Sequence, residues 1–104
     1  NSRFVIAGSQ DEYGVTEFDN LWNPHKQPAC PEACYQKAEA QMIDCCRSFV
    51  ENYPDIGAIM LECTGMQPFA RAIQREVGLP VFSWGTLLDY AYSVVNHRAY
   101  YGHV

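Results

Sequence analysis

Length, composition and charge limit what this chain of 104 residues can be. The length suits one small domain, and a hydrophobic content of 48% is enough to form a buried core. The formal net charge is −5 and the basic residues are scattered, so we expect no nucleic-acid partner and no membrane partner. The apolar runs are too short to span a bilayer, and we expect no secretory signal.

Five cysteines raise the question of disulfides and metal sites: Cys30, Cys34, Cys45, Cys46 and Cys63. An odd number excludes complete pairing within one chain, and two of the five are adjacent, so we expect reduced thiols and a cytoplasmic location. The spacing matches no compact zinc pattern, and we therefore expect no metal. Cys45 and Cys46 are expected to pack in a helix, whereas Cys30 and Cys34 could form a local disulfide under oxidation.

The first half of the chain predicts one strand and two helices. A short apolar run over 4–7 is typical of a buried parallel strand. Apolar residues at helical spacing predict a short helix over 15–22, capped by Thr16. A proline-rich loop follows over 23–31. The longest predicted helix covers 32–53, where an apolar stripe repeats with the helical period and a proline ends it.

The second half alternates strands and helices. A buried strand is predicted over 56–61, a turn over 63–65, and a helix over 68–77 that Gly78 ends. A very short strand at 81–82 leads into the last helix, predicted over 86–98.

That last helix begins with a capping-box pattern at Thr86 and Asp89. We expect it to turn one apolar face inward, formed by Leu88, Ala91, Tyr92 and Val95. The whole order predicts a single α/β domain over 1–104. It would be a small three-layer unit in which helices flank a short parallel sheet of about three strands.

The candidate chemical site is the turn formed by Cys63, Thr64 and Gly65. Parallel α/β sheets bind ligands at the carboxyl ends of their strands, where this turn lies. The start of the next helix favours a bound anion and a thiolate. Thr64 supplies a hydroxyl, and Gly65 permits close approach. The pattern suits a reactive thiol beside a carboxylate, although a cysteine here is also often a small buried hydrophobic residue.

A longer stretch around this turn resembles a known enzyme family. The run from Asp55 to Phe69 reads DIGAIMLECTGMQPF, and it is followed by Ala72-Ile73-Gln74 and by Gly78-Leu79-Pro80-Val81-Phe82. Together these segments resemble the C-terminal part of the aspartate/glutamate/hydantoin racemase superfamily. Strand, turn and second strand agree with that family in order and in spacing.

The resemblance implies a fold, a chemistry and two site residues. Members have two similar α/β halves, and each half supplies one cysteine to an active site between them. One thiolate removes the proton next to a carboxylate, the other thiol delivers a proton from the opposite face, and no cofactor is needed. Cys63 matches the second of these cysteines. Thr64 matches a residue that helps to hold the substrate carboxylate.

Two departures from the family affect the expected function. The half with the first cysteine has no counterpart here, so we expect a fragment, a truncated product or a diverged relative. Gly65 replaces an Asn or His, and Gln67 replaces a common Pro. The leading hypothesis is a racemase-like isomerase unit that acts on a small amino acid or related carboxylate and is incomplete alone.

Two other functions stay open on the sequence. A chain that kept the fold but lost half the site could be a non-catalytic binding or interaction domain. A single cysteine would also suffice for a lyase or decarboxylase. A dense aromatic group suggests contact with a missing-half partner or with a second copy of the chain: Trp84, Tyr90, Tyr92, Tyr100 and Tyr101.

Overall fold

The fold is described by a computed structural model that covers residues 3–26, 29 and 31–102. In chain order it contains α1 (Glu17–Trp22), α2 (Pro31–Asn52), β1 (Ile59–Met60), a 3₁₀ helix (Thr64–Phe69), α3 (Ala70–Val77), β2 (Val81–Phe82) and α4 (Trp84–Val95). The two strands pair in parallel, with Ile59 opposite Val81 and Met60 opposite Phe82. The expected α/β class is therefore confirmed at the level of helices with a short parallel sheet.

The sheet is smaller than predicted, because the described residues form two strands and not about three, and the strand predicted over 56–61 is found only at Ile59–Met60. Residues 4–8 adopt no regular secondary structure, and the side chains of Phe4 and Ile6 are 73% and 92% exposed. A buried parallel strand requires cover on both faces of its sheet. Here α2 and α3 cover one face only, so an apolar run of four residues gains little burial by joining the sheet.

The long helix α2 organises the core, and its prediction over 32–53 is confirmed to within about a residue at each end. Its most buried positions are four residues apart, which places them on one stripe: Cys34, Ala38, Met42 and Cys46. This stripe packs against α1 and α3. Phe69 lies at the centre with no exposed surface, and its ring centroid is 5.7 Å from that of Phe18 and 5.0 Å from that of Tyr35.

The segment after β1 turns into a helix earlier than predicted. Pro68 was expected to open a helix, but it lies inside the 3₁₀ helix Thr64–Phe69, which continues directly into α3. The predicted end of α3 is confirmed. Gly78 has a φ of 69°, in the left-handed region, and its N–H donates to the carbonyl of Gln74 at 2.9 Å.

Helix α4 also begins earlier than predicted, because Ser83 and not Thr86 is its N-cap. The Ser83 Oγ accepts a hydrogen bond from the Thr86 N–H, and the Thr86 Oγ1 accepts one from the Ser83 N–H at 2.9 Å. The helix ends at Val95, three residues before the predicted end. Serine is a stronger N-cap than threonine, which is consistent with the shift.

The prediction that α4 turns an apolar face inward is wrong, because no residue of this helix is buried. Met60 and Phe82 on the outer side of the sheet are also exposed. We call this surface the uncovered face. It consists of exposed apolar side chains of the sheet and of α4: Met60, Phe82, Leu87, Leu88, Tyr90, Tyr92, Val94 and Val95. The third layer of the predicted three-layer unit is thus missing from the described structure.

Within the described part of the chain, no helix has both the length and the apolar content needed to span a membrane.

Candidate functional site

The candidate site lies where the chain leaves the carboxyl end of β1. The N–H groups of Ile59 and Leu61 donate to the carbonyls of Pro80 and Phe82, both at 2.9 Å. The side chains of Ile59 and Leu61 are buried. These contacts hold the strand in place up to Leu61, so the next two residues project beyond the sheet. Cys63 is exposed and carries a free thiol, at the strand end where the sequence predicts it.

Cys63 is the N-cap residue of the 3₁₀ helix. Its backbone is extended, with φ −78° and ψ 133°, and its carbonyl accepts a hydrogen bond from the Met66 N–H at 3.0 Å. The Cys63 side chain makes no capping hydrogen bond. Thr64 and Gly65, the predicted carboxylate-binding residues, are therefore the first two residues of this helix. The thiol and the Thr64 side chain are both open to solvent.

Trp22, at the end of α1, closes one side of this turn. A Cβ atom added to Gly65 would lie 3.0 Å from the indole Nε1 of Trp22, which is tighter than ordinary van der Waals contact. The indole thus occupies the space into which a side chain at position 65 would extend. This contact joins residues far apart in the chain, and the sequence offered only one hint of it. That hint is the glycine where relatives of the resembled family carry Asn or His.

The first turn of α4 closes the other side. The indole Nε1 of Trp84 donates a hydrogen bond to the Glu62 carbonyl at 2.7 Å. A Cβ added to Gly85 would lie only 2.5 Å from the Gln67 Nε2, so the Gln67 side chain rests on the backbone of this turn. Two tryptophans and one glutamine therefore surround the Cys63 turn. None of the three was a candidate site residue in the sequence.

An apolar cavity of about 510 Å³ lies beside the site, between the sheet and α4. Its lining includes residues of both elements: Met60, Glu62, Phe82, Trp84, Leu87 and Tyr90. A wider groove of about 890 Å³ runs along β1 next to residues 3–6. Cys63 lines neither of them, although Glu62 lines both. The thiol thus stands one residue outside the concave surface, in an open position.

Cys34 is buried in α2, unlike Cys63. Its Sγ lies 3.4 Å from the carboxylate Oε2 of Glu17, to which it donates a hydrogen bond. Burial raises the pKa of the Cys34 thiol, and the Glu17 carboxylate adds to that effect. This thiol is therefore held in its neutral form.

Cys45 and Cys46 form a pair of neighbouring thiols in α2. The predicted packing of Cys45 and Cys46 in the helix is confirmed, since Cys46 is in the core and Cys45 packs against it. Their mutual hydrogen bond and burial raise the pKa of Cys46, whereas that bond lowers the pKa of Cys45. Cys30, and any pairing with Cys34, lies outside the described residues. In the described ranges no group of three His, Cys, Asp or Glu side chains is placed to hold a metal ion.

Comparisons with known proteins add no relative to this picture. No protein-family model, no curated protein and no solved structure matches the chain. The racemase resemblance therefore remains a hypothesis that depends on the sequence around Cys63.

Proposed function

We propose that the chain is a racemase-like isomerase unit, incomplete alone, in which Cys63 transfers the α-proton of a small amino acid or related carboxylate without a cofactor. The observation that carries the proposal is the exposed, free thiol at the carboxyl end of a parallel strand, at the very start of a helix. The first N–H groups of a helix lack intrahelical partners and favour a bound anion. The carboxylate would bind at Thr64 and Gly65, next to the thiol.

The proton transfer follows from this arrangement. The Cys63 thiolate accepts the proton from the α-carbon, and the electron pair of the C–H bond delocalises into the substrate carboxylate. Return of a proton from the same thiol restores the original configuration. Inversion requires a second donor on the opposite face of the substrate. Cys34, Cys45 and Cys46 belong to α2 and its core packing, so none of these three serves as that donor.

The proposed unit should therefore exchange an α-proton without racemising its substrate. The test is incubation of single enantiomers of aspartate and glutamate in D₂O, followed by mass spectrometry and chiral chromatography. We expect deuterium at the α-carbon with retained configuration, and we expect Cys63→Ser to abolish the exchange. Cys45→Ser is the matched control and should retain it. Exchange by Cys63→Ser at the native rate would refute the proposal.

Thiol reactivity gives a second, substrate-free test. Iodoacetamide should alkylate Cys63 first, because its side chain is exposed, while Cys34 and Cys46 should react at least about 100-fold more slowly, since they require local opening of α2. The raised pKa of Cys34 and of Cys46 also lowers the thiolate fraction of both side chains, which slows their alkylation further. Mass spectrometry of peptides measures each site. Equal rates for Cys34 and Cys63 would contradict the structure of this region.

A non-catalytic interaction domain is the second candidate function. The observation that favours it is the uncovered face, which exposes far more apolar surface than catalysis at Cys63 requires. The two candidates differ in the deuterium experiment. Exchange that depends on Cys63 would exclude a purely structural role, whereas its absence in a folded chain that still binds a partner would favour the interaction domain.

A further inference from the structure

Helix α4 has the pattern of a buried helix without being buried. At 3.6 residues per turn its apolar residues, from Trp84 to Val95, cover an arc of roughly 200°, about twice the stripe that a helix on a protein surface usually presents. The remaining arc carries the small and polar residues Gly85, Thr86, Asp89 and Ser93. Leu88 is 64% exposed and Val95 is 81% exposed. The apolar pattern of this helix therefore predicts that another element packs over it.

The sheet presents a second apolar surface to the same space. Met60 and Phe82 are paired in register on neighbouring strands, and their side chains point away from the core that Ile59 and Leu61 enter. The cavity of about 510 Å³ separates this side of the sheet from α4. The uncovered face is thus continuous across two elements and contains a hollow.

The accessible surface of the molecule exceeds that of a compact monomer of the same mass. Its accessible surface is 8082 Å². A folded monomer of 11.8 kDa exposes roughly 5,900 Å². Its radius of gyration is 16.4 Å, against roughly 13 Å for a compact domain of this length. The excess, roughly 2,200 Å² per chain, is shared between the uncovered face and the irregular segments 3–8 and 96–102, and a stable interface needs roughly 800 Å² from each partner.

We propose that the uncovered face is the interface of a homodimer, in which α4 of each copy packs against the sheet and α4 of the other. A symmetric interface must be complementary to itself. This face combines a hollow, lined by Phe82 and Leu87, with the exposed apolar side chains of Tyr92 and Val95 on the same helix, which the hollow of a second copy can receive. The proposal does not depend on the chemistry of Cys63.

The charges of the face argue against other occupants. Asp89 is the one charged residue of α4, and it lies outside the apolar arc. A nucleic acid would find no basic residue here, since Glu62 is the one charged residue that lines the hollow. A helix that binds a lipid surface usually carries Lys or Arg on its polar face, and α4 carries neither. A second copy presents the same largely apolar surface and matches the face outside Glu62.

Sedimentation equilibrium of the full chain under reducing conditions tests the dimer. We expect a species of twice 11.8 kDa that dissociates on dilution. Leu88→Lys and Val95→Lys should each raise the dissociation constant by about tenfold or more, because each places an unpaired charge in the apolar interface. Ala40→Lys is the matched control, since Ala40 is an exposed residue in the middle of α2, and it should leave the constant unchanged.

Circular dichroism should report a native helix content for each variant. Should Leu88→Lys fail to fold, Val95→Lys decides the question, because its site is the exposed last residue of α4. A folded chain that stays monomeric at all concentrations would overturn the proposal, as would equal weakening by Ala40→Lys. Flotation of the monomer with neutral phosphatidylcholine vesicles, without self-association, would also overturn it and assign the face to a lipid surface.

Discussion

The core around Phe69 and the uncovered face use the same kinds of side chain with opposite results. Phe69, Ile73 and Ala38 have no exposed surface, whereas no residue of α4 is buried. The difference is one of layers, since α1, α2 and α3 enclose the core from several directions and the uncovered face has no second layer. Hydrophobic pattern therefore predicts which surface has to be buried, and the available layers decide whether a single chain buries it.

The largest expected loss of stability comes from truncating a side chain at the centre of the packed core. Phe69→Ala removes a fully buried ring that touches Phe18 and Tyr35, and it should lower the free energy of unfolding by about 3–5 kcal/mol. Urea denaturation followed by far-UV circular dichroism measures the loss. A loss below about 1 kcal/mol would mean that this region is not the stabilising core.

Phe82→Ala on the uncovered face is the control for that comparison. The Phe82 side chain is 55% exposed, so in dilute protein the same truncation should cost about 1 kcal/mol or less. The cost should grow with protein concentration if two copies cover this face. Equal losses for the two phenylalanine variants at every concentration would remove the distinction between the regions.

The next effect concerns the attachment of α4 to the rest of the chain. Ser83→Ala removes the N-cap of a helix that has little tertiary packing, and it should destabilise α4 by about 1 kcal/mol. Hydrogen exchange should show faster exchange across α4, with α2 unchanged. Ser93→Ala, in the exposed part of the same helix, is the control and should change the exchange little. Faster exchange in α2 as well would indicate that the two regions unfold together.

An effect of similar size tests the fit of Trp22 over the candidate site. Gly65→Ala should cost about 1 kcal/mol, because the new methyl group would meet the Trp22 indole at 3.0 Å. Combining it with Trp22→Ala should remove that cost. Thermal denaturation of the two single variants and the double variant measures the coupling.

Gly57→Ala provides the matched comparison. Position 57 has no atom within 4 Å of an added Cβ, and its φ is not positive, so alanine there should stabilise the fold by about 0.4–1 kcal/mol. If Gly65→Ala were equally stabilising, the indole would not hold the position seen in the structure.

Local signals predicted local structure well. The apolar period of α2 and the stop at Gly78 each depend on a few neighbouring residues, and each is found where expected, whereas the strand predicted over 56–61 is found only at Ile59–Met60. The capping box was displaced because Ser83 and Thr86 both suit an N-cap and serine is the stronger of the two. The position of Pro68 was missed, because the helical segment begins four residues earlier, at Thr64.

Predictions that depend on layers or distant contacts were less successful. The predictions of a strand over 4–7 and of an inward face on α4 both assumed a covering layer that the described residues do not form. The indoles at the candidate site come from α1 and from α4, far from Cys63 in sequence, and no periodicity links these segments. The catalytic role of Cys63 itself stays a prediction, because it depends on a resemblance that the comparisons do not test.

The placement of the two indoles has a practical consequence. Trp22 and Trp84 are the only tryptophans in the chain; the Trp22 indole lies against Gly65, and the Trp84 indole donates to the Glu62 carbonyl. The tryptophan fluorescence of the protein therefore originates at the two ends of the short segment that contains Cys63. Alkylation of Cys63 or occupancy of the turn by a carboxylate should change the emission directly. The native chain thus carries its own optical probe of the site, and no label is needed to titrate it.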